Sequence, residues 1–161
     1  MLIHRTVQRT VWSAVIVCAA IAHPRPAAAQ EPITLSSVSA MTCTFPIMWL
    51  GNWSKAGDAE GAPQKSELVL KYLQIDTSDG TADVAGFTGN FYITVRVVPN
   101  VSLHLLHMDA AGPVYITTVF NKASHPGKFK AAHSRHEFTD VSLPGFTSRP
   151  EQYVGECELT K

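Results

Sequence analysis

The stretch GPVYITTVF (112–120), followed after a polar interval by GKFKAAHSRH (127–136), decides how the rest of the chain is read. It predicts a β-hairpin. Val114 to Phe120 is rich in β-branched and aromatic residues, which suit a pleated, half-buried surface. The strand period of two puts Val114, Ile116, Thr118 and Phe120 on one face and Tyr115, Thr117 and Val119 on the other. Asn121 to Gly127 holds Asn, Ser, Pro and Gly and predicts a loop. In the second arm Phe129, Ala131, His133 and Arg135 share a face, and Lys130, Ala132, Ser134, His136 and Phe138 take the other. The spacing matches no catalytic motif.

Working outward, each readable segment is another strand. Val38 to Leu50 is the first, with Met41, Cys43, Phe45, Ile47 and Trp49 on one parity and Pro46 marking an edge, a bulge or an early end. Gln30 to Ser37 reads as a loose lead into it. Gly51 to Ser66 is small, polar and Pro/Gly-containing, and predicts a long loop of the kind that forms lids or mouths. Glu67 to Ile75 is a strand apolar on both faces, with a short helix as the competing assignment. Asp76 to Gly80 is a turn without EF-hand spacing. Thr81 to Gly86 is a short strand, and Thr88-Gly89-Asn90 is a turn. Phe91 to Val98 alternates cleanly, Pro99-Asn100 reverses the chain, and Val101, Leu103, Leu105 and His107 share the next apolar face. After a Pro- and Gly-containing loop to Pro150, Gln152 to Thr160 closes the series, with Tyr153, Gly155, Cys157 and Leu159 on one face.

About eight strands joined mostly by short reversals, without a convincing helix, predict an all-β antiparallel meander. Cys43 and Cys157 fall on the apolar parity of the first and last strands. Joining those strands would remove both sheet edges, so a closed or nearly closed β-barrel is expected, with a two-sheet β-sandwich as the alternative.

The chain's start reads as an address. His4, Arg5 and Arg9 precede an apolar run from Val11 to Ile21, and Ala27-Ala28-Ala29 fits a cleavage site. Residues 1–29 are therefore expected to be a signal peptide and 30–161 a single barrel domain, periplasmic or secreted, with no integral membrane span after cleavage. Removing the leader takes away Arg5, Arg9 and Arg25 and no acid. Ten basic and thirteen acidic residues remain, a net charge of −3. A chain of that charge has no basic stripe for a phosphate backbone, which disfavours nucleic acid. Cys18 leaves with the leader, and the remaining pair predicts a Cys43–Cys157 disulfide in an oxidising compartment.

Five histidines remain: His104, His107, His125, His133 and His136. Imidazole is the commonest metal ligand, and Met108 adds a soft thioether, so a copper or zinc site drawing on His104, His125 and His136 is one expectation. Residues three apart on a strand face opposite sides, so such a site needs one ligand per strand. Ser134 cannot use either flanking histidine as its base for the same reason, and no pair of carboxylates falls clearly on an inner face. Trp49 and Trp53 at the start of the long loop, with His133 and Arg135 on the apolar parity, are the candidate ligand-binding residues. Arg135 on that face would need a partner or a ligand.

Two resemblances accompany this reading. Gly51-Asn52-Trp53 resembles the Gly-x-Trp of lipocalin-like barrels and of barrel-shaped secreted protease inhibitors. The segments TTVF (117–120), KFKAAHSRH (128–136) and YVGEC (153–157) resemble a pattern in an uncharacterised family of small exported Gram-negative bacterial proteins. That likeness implies export and supplies no activity. The function expected is a non-enzymatic binding module for a small apolar ligand or a protein partner, with periplasmic metal binding as the alternative.

Overall fold

The computed structural model describes residues 34–86, 93–108, 112–138 and 149–160. The expected leader and its cleavage site, Phe91, the Thr88–Asn90 turn and most of the segment after Phe138 lie outside them. The described residues form eight strands: β1 (Ala40–Trp53), β2 (Ala59–Asp76), β3 (Thr81–Val84), β4 (Ile93–Val98), β5 (Ser102–Met108), β6 (Val114–His125), β7 (Lys128–His136) and β8 (Glu151–Thr160). Each pairs antiparallel with the next, and β8 pairs with β1, so the meander closes on itself. The sandwich alternative is thereby set aside.

The seam is stitched covalently. Cys43 and Cys157 stand directly opposite each other on β1 and β8, form a disulfide, and are fully buried.

Most inward faces follow the period-two reading. Leu103, Leu105 and His107 on β5, Thr117 and Val119 on β6, Ala131 and His133 on β7, and Tyr153, Cys157 and Leu159 on β8 are buried. Two strands break their own parity. On β1, the pairing with β8 passes from Thr44↔Glu156 to Ile47↔Val154, so Phe45 and Pro46 together oppose the single residue Gly155. This is a β-bulge, the place where a proline's missing N–H is tolerated. Beyond it the faces exchange: Met48 packs on the core, while Ile47 and Trp49 turn outward. The expectation that Met41, Cys43, Phe45, Ile47 and Trp49 share one face is corrected at Pro46. On β2, Gln74 adopts φ 49°, the register shifts between Leu73 and Asp76, and Ile75 enters the core while Val69 and Leu73 stay exposed. One irregularity thus explains why that segment looked apolar on both sides.

Two predicted loops are strands. Gly51 to Ser66 is the end of β1 and the start of β2, paired residue by residue from Leu50↔Ala62 to Trp53↔Ala59. Only Ser54–Asp58 turns. Ser54 Oγ accepts hydrogen bonds from Ala56 N at 3.2 Å and Asp58 N at 3.1 Å, and Gly57 takes φ 92°. Composition misled because these arms are exposed, so no apolar alternation marks them as strand. Likewise β6 continues through Asn121–His125, with register shifts between Val119 and His125, leaving the turn to Pro126-Gly127.

The expected loose lead is also corrected where it is described. Thr34–Ser37 forms a turn closed by Ser37 N donating to Thr34 O at 3.1 Å, and Leu35 and Val38 are buried in the core. Thr77 Oγ1 donates to Ser36 O at 2.8 Å, fastening this plug to the β2–β3 turn. Leu35, Val38, Met41, Val95, Leu103, Val119, Cys157 and Leu159 belong to one packed core cluster. Part of the interior, toward the β1–β2 hairpin, is not filled.

Candidate functional site

The unfilled part is a cavity of about 250 Å³. Eight-stranded barrels are just wide enough either to fill their interior with side chains or to hold one small ligand. This barrel does each in part. Leu68 and Leu70 from β2, Val84 from β3, Ile93 from β4 and Leu105 from β5 supply an apolar wall. His107, Tyr115, His133, Arg135, Glu151 and Tyr153, from the ends of β5 through β8, supply a polar and aromatic wall.

Its floor is a strut across the barrel. Tyr72 on β2 reaches Thr117 on β6, two strands that are not neighbours, with the phenol oxygen 2.5 Å from Thr117 Oγ1. Thr117 Oγ1 in turn lies 2.7 Å from His133 Nδ1. Phe45, brought in just before the bulge, sits beneath His133 and Tyr153 at ring separations of 5.7 and 6.3 Å. Above it, His107, Tyr115 and His133 form a nearly parallel series, with interplanar angles of 20° and separations of 5.4 and 6.2 Å.

Burial sets the electrostatics. Burial, with the positive charge of Arg135 adding to it, brings the His133 imidazole down to about 4, so it is neutral at physiological pH. Burial also pushes the Tyr72 phenol up to about 12 despite its hydrogen bond to Thr117. The Tyr153 phenol is likewise raised, by burial first and then by its bond to Glu151. At the rim, Arg135 donates through Nε at 2.8 Å and through Nη2 to the same Oε2 of Glu137. Tyr153 donates to Glu151 Oε2 at 2.6 Å, with Arg135 Nη1 3.8 Å from that oxygen.

His133 carries a pH prediction. Its folded-state pKa lies below the unfolded value of about 6.5, so below that pH the unfolded chain binds a proton that the folded barrel refuses. Stability is expected to fall as pH drops from about 6.5 to about 4, by roughly 3 kcal/mol in total, and to lose this contribution's slope below that. Urea unfolding at stepped pH is expected to show the slope in the wild type and its loss in His133→Gln. Equal slopes in the two would contradict the assignment. A separate acid-labile contact sits at the far end. There Glu156 accepts hydrogen bonds from Lys128, His125 and Ser124, which hold its carboxyl down to about 2.

Of the four residues proposed for ligand binding, the structure brings two together. His133 and Arg135 line the cavity. Trp49, reversed by the Pro46 bulge, lies on the outer face beside a shallow hollow shared with Arg135 and His136. Trp53, in the final residues of β1, packs edge-on against Phe138 at 5.0 Å and is half exposed. The three proposed metal ligands do not meet. His104 faces outward between two hydroxyls, Nε2 to Ser102 at 2.7 Å and Nδ1 to Thr118 at 3.0 Å. His125 sits at the β6–β7 turn against Glu156, and His136 ends β7 opposite Val114, at the other end of the same hairpin. Among the described residues no group of three or more His, Cys, Asp or Glu side chains is placed to hold a metal ion.

Sequence reasoning passed over Tyr72, His107, Tyr115, Thr117, Glu151 and Tyr153 as site residues. For His107, Thr117 and Tyr153 the signal was present: each is a polar-tipped residue on the parity of Leu103, Val119 or Cys157. Tyr72 and Glu151 had no such mark, because β2 looked apolar on both faces and Glu151 lay outside the predicted strand. No family model, curated protein or solved structure matches the chain.

Proposed function

We propose that the chain is an exported, non-enzymatic binding protein that holds one small, largely apolar molecule in the open part of its barrel. The supporting observation is the partly filled interior. A cavity of about 250 Å³ has the share of liquid volume of roughly eight water molecules, and it lies just below the range of about 300 to 1,000 Å³ usual for drug-sized ligands. Its apolar wall would supply affinity, and the polar wall would orient the ligand.

The polar groups do not make a catalytic set. Thr117 beside His133 has the elements of a nucleophile and a base, but Thr117 is 1 % exposed, out of a substrate's reach. An imidazole brought down to about 4 is also a poor base at neutral pH. The alternative of copper or zinc held by His104, His125 and His136 has no converging geometry behind it. Export is supported by the disulfide, by the expected leader and by the resemblance to small exported bacterial proteins. No helix among the described residues is long and apolar enough to cross a membrane. The barrel's outer face carries exposed Lys71, Arg96, Lys130 and Glu158, unlike the apolar band of a lipid-facing barrel.

Thermal unfolding with added 2-phenylethanol, p-cresol or hexanol tests the reading. A ligand at a hundred times its Kd stabilises by about 2.7 kcal/mol, so at least one of these is expected to raise Tm by several degrees. Leu70→Trp, which fills the cavity from β2, is expected to fold and to lose the response. A wild-type Tm unmoved by all three would overturn the proposal.

A further inference from the structure

We propose that the cavity selects a small organic amine, its ammonium group seated on Glu151 and its apolar body against Leu68, Leu70 and Leu105. The inference rests on the cavity reading above and adds the charge of the ligand. Arg135 and Glu151 are the two charged residues lining the cavity. They are not equivalent. The guanidinium of Arg135 is committed to Glu137, to which it donates from two nitrogens. It approaches Glu151 only to 3.8 Å, beyond hydrogen-bond length. The Glu151 side chain is 9 % exposed, and both of its contacts, with Tyr153 and Arg135, fall on Oε2. Among the described residues nothing donates to Oε1.

A largely buried carboxylate with an open acceptor oxygen favours a charged donor. Charge-assisted N–H···O bonds are roughly twice as strong as neutral ones, and they gain further where water is thinned out. With Arg135 held by Glu137, the Glu151 carboxylate is the charged group left to meet a ligand in the cavity, which favours a cation over an anion. Tyr153, lining the same wall, adds an aromatic ring of the kind that attracts ammonium groups. His133 adds no opposing positive charge, since it is neutral at physiological pH.

Three ligands of one shape separate the possibilities: 2-phenylethylamine as cation, 2-phenylethanol as neutral body and 3-phenylpropanoate as anion. Isothermal calorimetry at pH 7 on the disulfide-intact protein is expected to give the amine at least tenfold tighter binding than the alcohol, and no measurable binding of the carboxylate. In Glu151→Gln, which keeps an acceptor for Tyr153, the amine's advantage over the alcohol is expected to vanish. Alcohol bound as tightly as amine by the wild type overturns the amine assignment and leaves the cavity reading standing. Amine preference that survives Glu151→Gln overturns the role of Glu151. Silence from all three ligands overturns the amine assignment, and silence from p-cresol and hexanol as well overturns the cavity reading. The wild-type comparison stands by itself should the variant fail to fold.

Discussion

Replacing Gly155 by alanine is expected to abolish or nearly abolish folding, at a cost of about 4 kcal/mol or more, the exceptional end for a single substitution. A Cβ built on Gly155 would lie 2.0 Å from Thr44 O and 2.8 Å from Phe45 Cα. Both atoms are backbone, so no rotamer change relieves the clash. The crowding arises because two residues of β1, Phe45 and Pro46, are accommodated opposite this one residue of β8. The bulge brings the β1 backbone against Gly155, and only a residue without a side chain leaves it room. The same bulge seats Phe45 under the cavity and sends Trp49 outward, so the site depends on it as well. Far-UV circular dichroism and urea unfolding of Gly155→Ala check this. A variant unfolding within 1 kcal/mol of the wild type would show that β1 yields easily at Thr44. Gly61, where the nearest atom to an added Cβ is Leu50 O at 3.6 Å, is the matched control and is expected to tolerate alanine.

Loss of the disulfide is the second large effect. Cys43 and Cys157 are separated by 114 positions and pair across the seam where the meander closes. By the chain-entropy treatment, cross-linking a loop of that length removes about 4 to 5 kcal/mol of freedom from the unfolded chain. The Cys43→Ala, Cys157→Ala double variant is expected to lose about that much in urea unfolding, since alanine at both positions keeps the buried surroundings apolar. A loss below about 1 kcal/mol would mean that strand pairing between β1 and β8 closes the barrel by itself. Because both sulfurs are fully buried, reductant is expected to cleave the wild-type bridge only as fast as the barrel opens.

What could be read in advance was whatever obeys a period of two. The alternation in Val114–Phe120 and Ile93–Val98, and the matching parity of the two cysteines, carried the eight-strand meander, its closure and the disulfide. Deviations from that period were not legible. Pro46 announced a bulge without fixing its register, so Trp49 was assigned to the wrong face. Gln74 gave no sign that its backbone would turn left-handed and carry Ile75 inward. The solvent-exposed arms of β1 and β2 have no apolar rhythm at all, and their Gly- and Pro-rich composition resembles a loop. The site was half legible for the same reason. His133 and Arg135 stood out as polar residues on an apolar parity. The cross-barrel reach of Tyr72 to Thr117 depends on which strands face each other across the lumen, and no local pattern encodes that. The alternation also did not reveal that the N-terminal turn with Leu35 and Val38 plugs one end and leaves the other open.

The interior holds a packed core around Met41, Leu103, Val119 and Leu159 and an open cavity lined by Leu68, Leu70, Val84, Ile93 and Leu105. Methyl-resolved NMR of the wild-type barrel, titrated with 2-phenylethylamine, tests that division most directly. Resonances of Leu68, Leu70, Val84, Ile93 and Leu105 are expected to shift together and saturate, while those of Met41, Leu103, Val119 and Leu159 stay in place. Shifts confined to the second group, or no shift in either, would contradict it.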